Sequence, residues 1–430
     1  MTSNKNPIVF VLLTVAIDTI GFGVILPVLP RLIMEIGATD VGGAARVGGA
    51  LLVVFAGLQF LFGPLLGNLA DRFGRRPVLL ISLAAFGVNY ALMGLAPNLT
   101  WLFIGRALTG ISGAIYAPAN AYVADVTPPE KRAQSFGWVN GAFGLGFTLG
   151  PALGGFLGEL GPRAPFFAAA ILALVNFVYG LFVLPESLPK ERRRSFSLAR
   201  ANPLGAMRAF RGQRTVLGLA LVVFFWSLGF HVYPSTWSYY VIAKFQLSPA
   251  AIGGTLAASG ISMMIVQAFL TGRLVAKLGE RRTAPLGIFM GFSVFAAYAF
   301  ITESWMMYPL LLISGLQGLT MPSLNAMMSK QLGPERQGEL QGGMASVMGL
   351  SAIIGPWALT ETLARFASVG PNAAASRPAG APYFPGAAFA LAACLALVSF
   401  AILLFQLRRI SPPLAADVIA RGAPPDPEVG

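Results

Sequence analysis

The sequence predicts an all-α membrane protein with twelve transmembrane helices arranged as two pseudo-symmetric six-helix bundles. Three observations support this fold class: the composition, the length of the apolar stretches and an internal repeat. Apolar residues make up 56% of the 430 residues and charged residues only 11%. A soluble domain has roughly 25% charged residues, so a chain of this composition cannot cover its surface with polar groups in water.

Apolar stretches that are long enough to cross a bilayer follow one another along the chain. A helix with a rise of about 1.5 Å per residue needs about 20 residues to span the hydrocarbon core. Breaks at charged and Pro/Gly clusters predict spans at 8–34, 46–68, 77–96, 99–124, 134–160, 163–185, 215–242, 248–276, 283–302, 305–329, 340–368 and 384–407. The first span is too long for a signal peptide and lacks a small-x-small cleavage pattern, so we expect it to be retained.

The basic residues are distributed unevenly around these spans, and they predict the orientation. With both termini in the cytoplasm, 23 of the 30 lysines and arginines lie on the cytoplasmic side and six lie in outer loops. This is the positive-inside rule, which accounts for the net charge of +13 without a nucleic-acid partner. The basic stretch 186–214 predicts a cytoplasmic linker beside anionic lipid, between bundles of residues 1–185 and 215–410. The proline-rich residues 411–430 predict a disordered cytoplasmic tail.

The two predicted bundles match in sequence at a constant shift of 205 residues. The shift aligns Gly67 with Gly272, Gly74 with Gly279, Gly110 with Gly315, Gly113 with Gly318, Asn120 with Asn325, Pro129-Glu130 with Pro334-Glu335, and Gly150-Pro151 with Gly355-Pro356. Equivalent positions are six spans apart, an even number, so both halves have the same orientation and are related by an axis along the membrane normal. Two such bundles around a central site form the architecture of alternating-access carriers.

The second span ends in the segment Gly67-Asn68-Leu69-Ala70-Asp71-Arg72-Phe73-Gly74-Arg75-Arg76-Pro77. Its glycines allow close helix approach and a sharp turn, and Asp71 offers an acceptor charge to a facing helix N-terminus or to basic neighbours. The segment resembles the loop 2–3 signature of the major facilitator superfamily, which implies the major facilitator fold. The resemblance also implies a latch between the halves in the outward-facing state, formed by Gly67, Asp71, Arg72, Gly74, Arg75 and Arg76. A basic loop that only sets the topology is the alternative, and Ala276 replaces the acid in the second half.

The fifth predicted span contains a glycine-rich motif. Small residues four apart allow helices to pack closely in lipid, and Pro151 can kink the backbone at that contact. The motif resembles the antiporter signature of the same superfamily, carried here by Gly146, Gly150, Pro151, Gly154 and Gly155. The resemblance implies export in exchange for protons, whereas close packing alone is the alternative role.

Ionisable residues within spans are costly in a membrane and are therefore candidates for function. Asp18 lies about 10 residues into the first span, so about 15 Å along the helix and near the midplane. Arg106 reaches a similar depth from the opposite side, and with Gly110 and Gly113 it resembles the family's span 4 motif, which is tied to proton transfer. We hypothesise that Asp18 is the protonation site and that Arg106 modulates its protonation. A permanent structural ion pair is the alternative.

Amides and aromatic residues within the spans predict a cavity for loosely specified amphipathic ligands. The candidates are Gln59, Tyr116, Asn120, Asn140, His231, Tyr233, Trp237, Gln267, Gln317 and Asn325. Each amide could instead serve as a hydrogen bond between helices, and the sole histidine, His231, could be merely interfacial. Glu159 and Glu361 fall near the outer ends of spans, where exposure to water explains them adequately.

Longer segments of the chain resemble the tetracycline-efflux subfamily of proton antiporters. They include Val15-Ala16-Ile17-Asp18, Leu184-Pro185-Glu186-Ser187 and Glu335-Arg336-Gln337-Gly338-Glu339-Leu340-Gln341-Gly342. The resemblance assigns the subfamily's acids to Asp18 and Asp71 and its glutamines to Gln59 and Gln267. Asn89, Met263 and Gly291 depart from it, because the subfamily has an acid, a histidine and an acid there. Since tetracycline leaves those relatives as a metal chelate, the substrate here can arrive as a chelate or be a different compound.

These resemblances imply a secondary active transporter that exports small amphipathic compounds in exchange for protons, without a cofactor or a bound metal. Export or symport of an endogenous metabolite is the alternative. A membrane enzyme is disfavoured by a single histidine, a single cysteine and scattered acids, and a nucleotide-driven pump by the lack of a Gly-x4-Gly-Lys-Ser/Thr loop. A scaffold or receptor that transports nothing would not require a carboxyl group such as Asp18 at the membrane midplane. The expected partners are a small molecule, protons and lipid, in a protein that is monomeric and resides in a bacterial inner membrane.

Overall fold

The computed structural model describes residues 7–37, 39–113, 116–197, 205, 210, 212–332, 334–368 and 382–409, and these residues form helices and no strands. Most of the predicted linker between 198 and 211 and the predicted disordered tail at 411–430 lie outside these ranges. The first half contains α1 (Pro7–Ile25), α2 (Leu29–Gly37), α3 (Val41–Phe73), α4 (Arg75–Gly94), α5 (Leu99–Ser112), α6 (Tyr116–Val126), α7 (Arg132–Gly158) and α8 (Ala164–Val183).

The second half repeats this order of long apolar helices. It contains α9 (Arg214–Phe230), α10 (Val232–Phe245), α11 (Pro249–Ile265), a π-helical turn (Val266–Thr271), α12 (Gly272–Leu278), α13 (Glu280–Phe300), α14 (Met307–Ser314), a 3-10 turn (Gly315–Leu319), α15 (Thr320–Ser329), α16 (Gln337–Ala367) and α17 (Ala387–Arg409). The described residues also form short 3-10 turns at Pro129–Lys131, Lys190–Arg192, Ser304–Met306 and Pro334–Arg336.

Ten helical stretches in the described part of the chain are long and apolar enough to cross a membrane. The other two predicted spans, 99–124 and 305–329, are each divided into shorter helices, at Gly113 in the first half and at Gly315–Leu319 in the second. The two breaks fall at equivalent positions of the 205-residue repeat. The predicted fold class is therefore confirmed, with two of its spans broken at glycines.

Close packing at glycines holds α7 against α1 in the first half. A Cβ on Gly146 would lie 2.6 Å from the carbonyl oxygen of Ala16, and one on Gly150 would lie 2.8 Å from that of Ile20. The second half repeats this contact, since a Cβ on Gly355 of α16 would lie 3.1 Å from the carbonyl oxygen of Leu228. Only small residues allow backbones this close in a membrane, so the glycines fix the same helix pair in both halves.

The two halves meet at one end of the molecule and separate toward the other. We call the end that holds Asp71 and residues 186–197 the linker face, and the opposite end the far face. At the far face a Cβ on Gly49 of α3 would overlap Thr360 of α16, and one on Gly155 of α7 would overlap the backbone of α11. Toward the linker face, Cβ positions on Gly67 and Gly272 have no described atom within 4 Å. Among the described residues, the central space is therefore closed at the far face and open at the linker face.

Candidate functional site

Asp18 lies in the middle of α1 and is partly exposed. Among the residues that the structure describes, its carboxylate has no hydrogen bond and no ion pair. Tyr90 of α4 packs against α1 at Gly21 and lies in the neighbourhood of both Asp18 and Arg106. The structure thus places the two predicted coupling residues near one tyrosine and does not join them in an ion pair.

Arg106 lies in α5 and is only 2% exposed. Its guanidinium carbon is 5.8 Å from the centre of the Phe55 ring, and its Nε has no partner among the described residues. Tyr239 of α10, in the other half, interacts with it electrostatically. Both side chains line a small cavity between the halves near the far face. Arg106 therefore contacts the interface between the halves, which sequence reasoning did not indicate.

Arg75 is the centre of an ion-pair cluster at the linker face. Its Nη1 donates to Asp71 at 2.5 Å and its Nε to Asp125 at 3.3 Å, while its backbone N–H donates to Glu186 at 2.8 Å. The linker covers this cluster, because the N–H of Arg194 donates to the carbonyl of Asp71 at 3.1 Å. Asp71 thus pairs within its own half in this conformation.

The remaining residues of the loop 2–3 motif also act within the first half. Gly74 has a φ of 107°, a conformation that favours glycine, and Glu186 fills the space beside it. Arg76 donates to the carbonyl of Leu181 in the last turn of α8 at 2.8 Å, and Arg72 is exposed over the ring of Phe73. The inferred latch between the halves belongs to the outward-facing state, and it stays a prediction.

The glycine motif of α7 lies where α1, α7 and α11 meet. Gly146, Gly150 and Gly154 pack on α1, whereas Gly155 packs on α11 of the other half. Pro151 lies between these contacts, since its ring packs against Gly23 of α1. The motif therefore contributes both to the packing of the first half and to the closed far face. Its predicted role in the direction of transport is not tested by this packing.

Three of the predicted cavity residues lie in the core of the second half. The side-chain amide of Gln317 donates to the hydroxyl of Tyr233 at 2.9 Å, and Trp237 donates to Thr255 at 2.9 Å. Tyr233 and Trp237 also contact the rings of Tyr298 and Phe389. In this conformation these three side chains are buried among aromatic residues of their own half.

The other predicted cavity residues are distributed along the helices around the central space. Gln59 donates to the carbonyl of Gly113 at 3.0 Å. This hydrogen bond satisfies a backbone carbonyl group at the break between α5 and α6. His231 joins α9 to α10 and its Nδ1 lies 2.6 Å from the carbonyl oxygen of Ser227. Gln267 lies on the exposed π-helical turn, Asn140 is exposed, and Asn120 and Asn325 are half-buried; the side chain of Tyr116 lies outside the described residues.

The three departures from the tetracycline-efflux pattern have distinct surroundings. A side chain at Gly291 would overlap the ring of Trp226, so this position has no space for the acid that the relatives carry. Asn89 is buried, and its Nδ2 has no partner among the described residues. Met263 is half-buried beside Gly318. No group of three or more His, Cys, Asp or Glu residues in the described part of the chain could hold a metal ion.

Two glutamates that sequence reasoning left without a role connect the halves at the far face. Glu361 of α16 accepts from Arg46 of α3, with Nε–Oε2 and Nη2–Oε1 distances of 2.8 and 3.2 Å, and from Arg365 at 2.9 Å. Glu159, just after α7, accepts the backbone N–H of Ala250 at 3.0 Å, at the start of α11. The internal repeat could have indicated these two glutamates from the sequence, because the 205-residue shift places Glu159 within one helical turn of Glu361.

The charge on Glu159 is stabilised by the helix that it caps. The N–H of Ala250 and the hydroxyl of Ser248 donate to its carboxylate, and Arg31 lies nearby, so the pKa of Glu159 is lowered from its ordinary value of 4.5. A carboxylate at a helix N-terminus also interacts favourably with the helix dipole. Glu159 therefore binds the two halves together as an anion.

Two halves of long apolar helices, related by the 205-residue repeat and joined at one face, are the architecture of a multi-pass membrane transporter. The profile of the Major Facilitator Superfamily matches residues 11–356, and the chain belongs to this superfamily.

Comparisons with known proteins agree on this family and confirm the predicted resemblance. The chain is 40% identical over 368 residues to the tetracycline resistance protein, class C, of Escherichia coli, covering 86% of this chain and 92% of that protein. It is 40% identical over 357 residues to the class G protein of Vibrio anguillarum, covering 83% and 90%. Among solved structures, the human organic anion transporter TETRAN shares 26% identity with a TM-score of 0.67, covering 94% of this chain and 100% of that one.

Proposed function

We propose that this protein exports small amphipathic compounds, tetracycline-like drugs foremost, in exchange for protons. It resides in a bacterial inner membrane as a monomer with both termini in the cytoplasm. The proton gradient drives it without a cofactor, and its substrate can arrive as a metal chelate. The tetracycline resistance proteins, at 40% identity over most of both chains, support the substrate class.

The observation that carries the proposal is the state of Asp18. A carboxylate in the middle of a membrane helix is costly unless it is paired or protonated, and Asp18 has no ion pair among the described residues. It is also partly exposed, so protons can reach it. These two properties suit a group that takes up a proton on one side of the membrane and releases it on the other.

Alternating access is supported by the difference between the two faces. The closed far face is held by Arg46 with Glu361 and by Glu159 with the start of α11, and both contacts join opposite halves. The linker face has an ion-pair cluster around Arg75 within one half only. We propose that breaking the far-face contacts opens the outer side, while Asp71 then engages the second half.

One observation favours a different compound as the substrate. Trp226 occupies the space beside Gly291, and Asn89 and Met263 also differ from the tetracycline-efflux pattern. An exporter or symporter of an endogenous metabolite, with protonation at Asp18 alone, is therefore the second candidate. The direction of proton movement that the substrate causes separates export from symport.

The test is proton movement in liposomes that contain the purified protein. A pH gradient is imposed, tetracycline with magnesium is added, and a panel of amphipathic drugs follows. We expect one compound to dissipate the gradient and Asp18→Asn to abolish that dissipation. Glu303→Gln is the matched control, because Glu303 is exposed and lies outside the central space. Dissipation that survives in Asp18→Asn would show that another group carries the proton, and folded protein that responds to no compound would contradict drug–proton exchange.

A further inference from the structure

A small, partly open cavity lies between the two halves just inside the far face. Its walls come from both halves: Leu26, Leu29, Gly48, Leu52 and Arg106 from the first, and Pro234, Ser235, Ser238 and Tyr239 from the second. Its volume of about 10 Å³ is close to that of one water molecule, so a monatomic anion such as chloride fits when the lining side chains shift by a few tenths of an ångström. The hydroxyl of Ser238 bridges the halves beside it by donating to the carbonyl of Leu26 at 2.7 Å. The cavity therefore exists only while the far face is closed.

Two strong hydrogen-bond donors in this cavity are unsatisfied. Arg106 is 2% exposed and Tyr239 is 4% exposed. The Nε of Arg106 and the hydroxyl of Tyr239 both lack a partner among the described residues. Buried polar groups in proteins are nearly always hydrogen-bonded, so two unsatisfied donors on residues that line one small cavity indicate a bound species that accepts from both.

The unpaired positive charge of Arg106 indicates that the bound species is an anion. The guanidinium of Arg106 is always protonated, and no carboxylate among the described residues forms an ion pair with it. Its electrostatic neighbours are Tyr90 and Tyr239, which are neutral at physiological pH. A buried charge without a counter-charge is strongly destabilising, whereas an anion supplies the missing charge and accepts from both donors.

We propose that this cavity binds one small monovalent inorganic anion, with chloride as the physiological ligand, between Arg106 and Tyr239. The size of the cavity excludes the acidic group of a drug-sized substrate while the far face is closed. The two serine hydroxyls in the cavity wall already donate elsewhere, Ser235 to the carbonyl of His231 and Ser238 to that of Leu26. They therefore do not satisfy Arg106 or Tyr239. This site goes beyond the proposed function, since it concerns an ion that is neither the driving proton nor the exported compound.

The site has a consequence for the conformational equilibrium. A ligand that binds one conformation only shifts the equilibrium toward that conformation. Because the walls come from both halves, bound chloride stabilises the closed far face. Chloride on the outer side therefore opposes opening of the far face, whereas an anion too large for the cavity has no such effect.

The test is the accessibility of a cysteine buried in the far-face interface. Thr360 is 2% exposed and packs on Gly49, so Thr360→Cys in a Cys394→Ser background reports opening by its labelling rate with a maleimide. Sodium chloride is titrated against sodium gluconate at constant ionic strength. We expect chloride to lower the labelling rate severalfold and Arg106→Gln to remove the chloride effect. Arg282→Gln, an exposed arginine at the linker face, is the matched control and should retain it.

Tyr239→Phe is a second variant for the case that Arg106→Gln does not fold. It removes one hydroxyl group and leaves the rest of the cavity intact. It should raise the chloride concentration for half-maximal protection by about tenfold, as expected for one hydrogen bond to a charged group. A crystal soaked in bromide should show an anomalous peak between Arg106 and Tyr239. Equal labelling in chloride and gluconate, or a water without anomalous signal in that position, would overturn the proposal.

Discussion

The two halves carry the same ion pair with opposite polarity. In the first half Arg75 at the start of α4 pairs with Asp125 near the end of α6 at 3.3 Å. The 205-residue shift places Glu280 and Lys330 at these positions, and they pair at 2.8 Å in the second half. The geometry of the pair thus belongs to the repeated fold, whereas the sign of each charge is free to change.

What surrounds the pair differs between the halves. The side chain of Arg75 is only 10% exposed and also binds Asp71, whereas that of Lys330 is 64% exposed and Ala276 replaces the loop acid. The first-half pair is therefore the centre of a cluster under the linker, and the second-half pair is a surface contact.

The same asymmetry extends into the membrane. The positions in the second half that correspond to Asp18, Tyr90 and Arg106 are Val223, Phe295 and Leu311, all of them apolar. The second half uses this region for an aromatic core around Trp237, Tyr298 and Phe389. Ionisable groups at these membrane positions are therefore confined to one copy of the repeat, and the proposed proton binding belongs to the first half alone.

The largest effect that we expect separates the two ion pairs. Arg75→Gln leaves Asp71 and Asp125 without their shared cation in a half-buried site. The cost lies between the about 0–1 kcal/mol of a surface pair and the about 3–5 kcal/mol for loss of one partner of a fully buried pair. Glu280→Gln removes a surface pair worth about 0–1 kcal/mol. Unfolding in graded detergent, followed by circular dichroism, measures the difference in the free energy of unfolding.

Reversing the second-half pair sharpens this prediction. The double variant Glu280→Arg with Lys330→Asp gives the second half the polarity of the first, and we expect it to be as stable as the parent because the geometry is unchanged. Equal losses of stability for Arg75→Gln and Glu280→Gln would contradict the distinction between a buried cluster and a surface pair.

The sequence alone predicted the fold well because the helices of a membrane protein must be long and apolar. The internal repeat added a second, independent indication of two similar halves. The helix breaks near Gly113 and Gly315 were missed, since composition shows a continuous span and the break depends on packing, such as the approach of Gly110 to the backbone of Phe55. The neighbours of Asp18 were only partly predictable. The grouping of Asp18, Tyr90 and Arg106 depends on the placement of three helices, which no local pattern specifies.

At the far face, where each half contributes one glutamate, we expect an effect of intermediate size. Glu361→Gln weakens contacts with Arg46 and Arg365 that are partly exposed, so each is worth about 0.2–1 kcal/mol. We expect labelling of Thr360→Cys in gluconate to rise about two- to fivefold. The pair of variants Arg46→Glu with Glu361→Arg should restore protection if the ion pair across the halves is responsible. Unchanged labelling in Glu361→Gln would show that helix packing alone closes this face.

Glu159 gives the smallest expected effect, which depends on pH. Its pKa in the closed state is lowered from 4.5, chiefly by the N–H of Ala250, so its contribution to closure is complete above pH 4.5. That contribution is lost as the pH falls through the lowered pKa, because protonation removes the charge that caps α11. The labelling rate of Thr360→Cys, divided by that of a free thiol at the same pH because the thiolate fraction falls with pH, should therefore rise modestly as the outer solution is acidified below pH 4.5. The measurement is made in a Glu361→Gln background to remove the other glutamate.

Glu159→Gln should flatten this pH dependence, because a glutamine still accepts the N–H of Ala250 but does not titrate. Glu303→Gln, at the same face and exposed, should leave it unchanged. If the rise on acidification persists in Glu159→Gln, the responsive group lies elsewhere, and the two far-face glutamates are not equivalent parts of the repeat. If it disappears, each half closes the outer side with its own acid, and only the inner coupling groups remain exclusive to the first half.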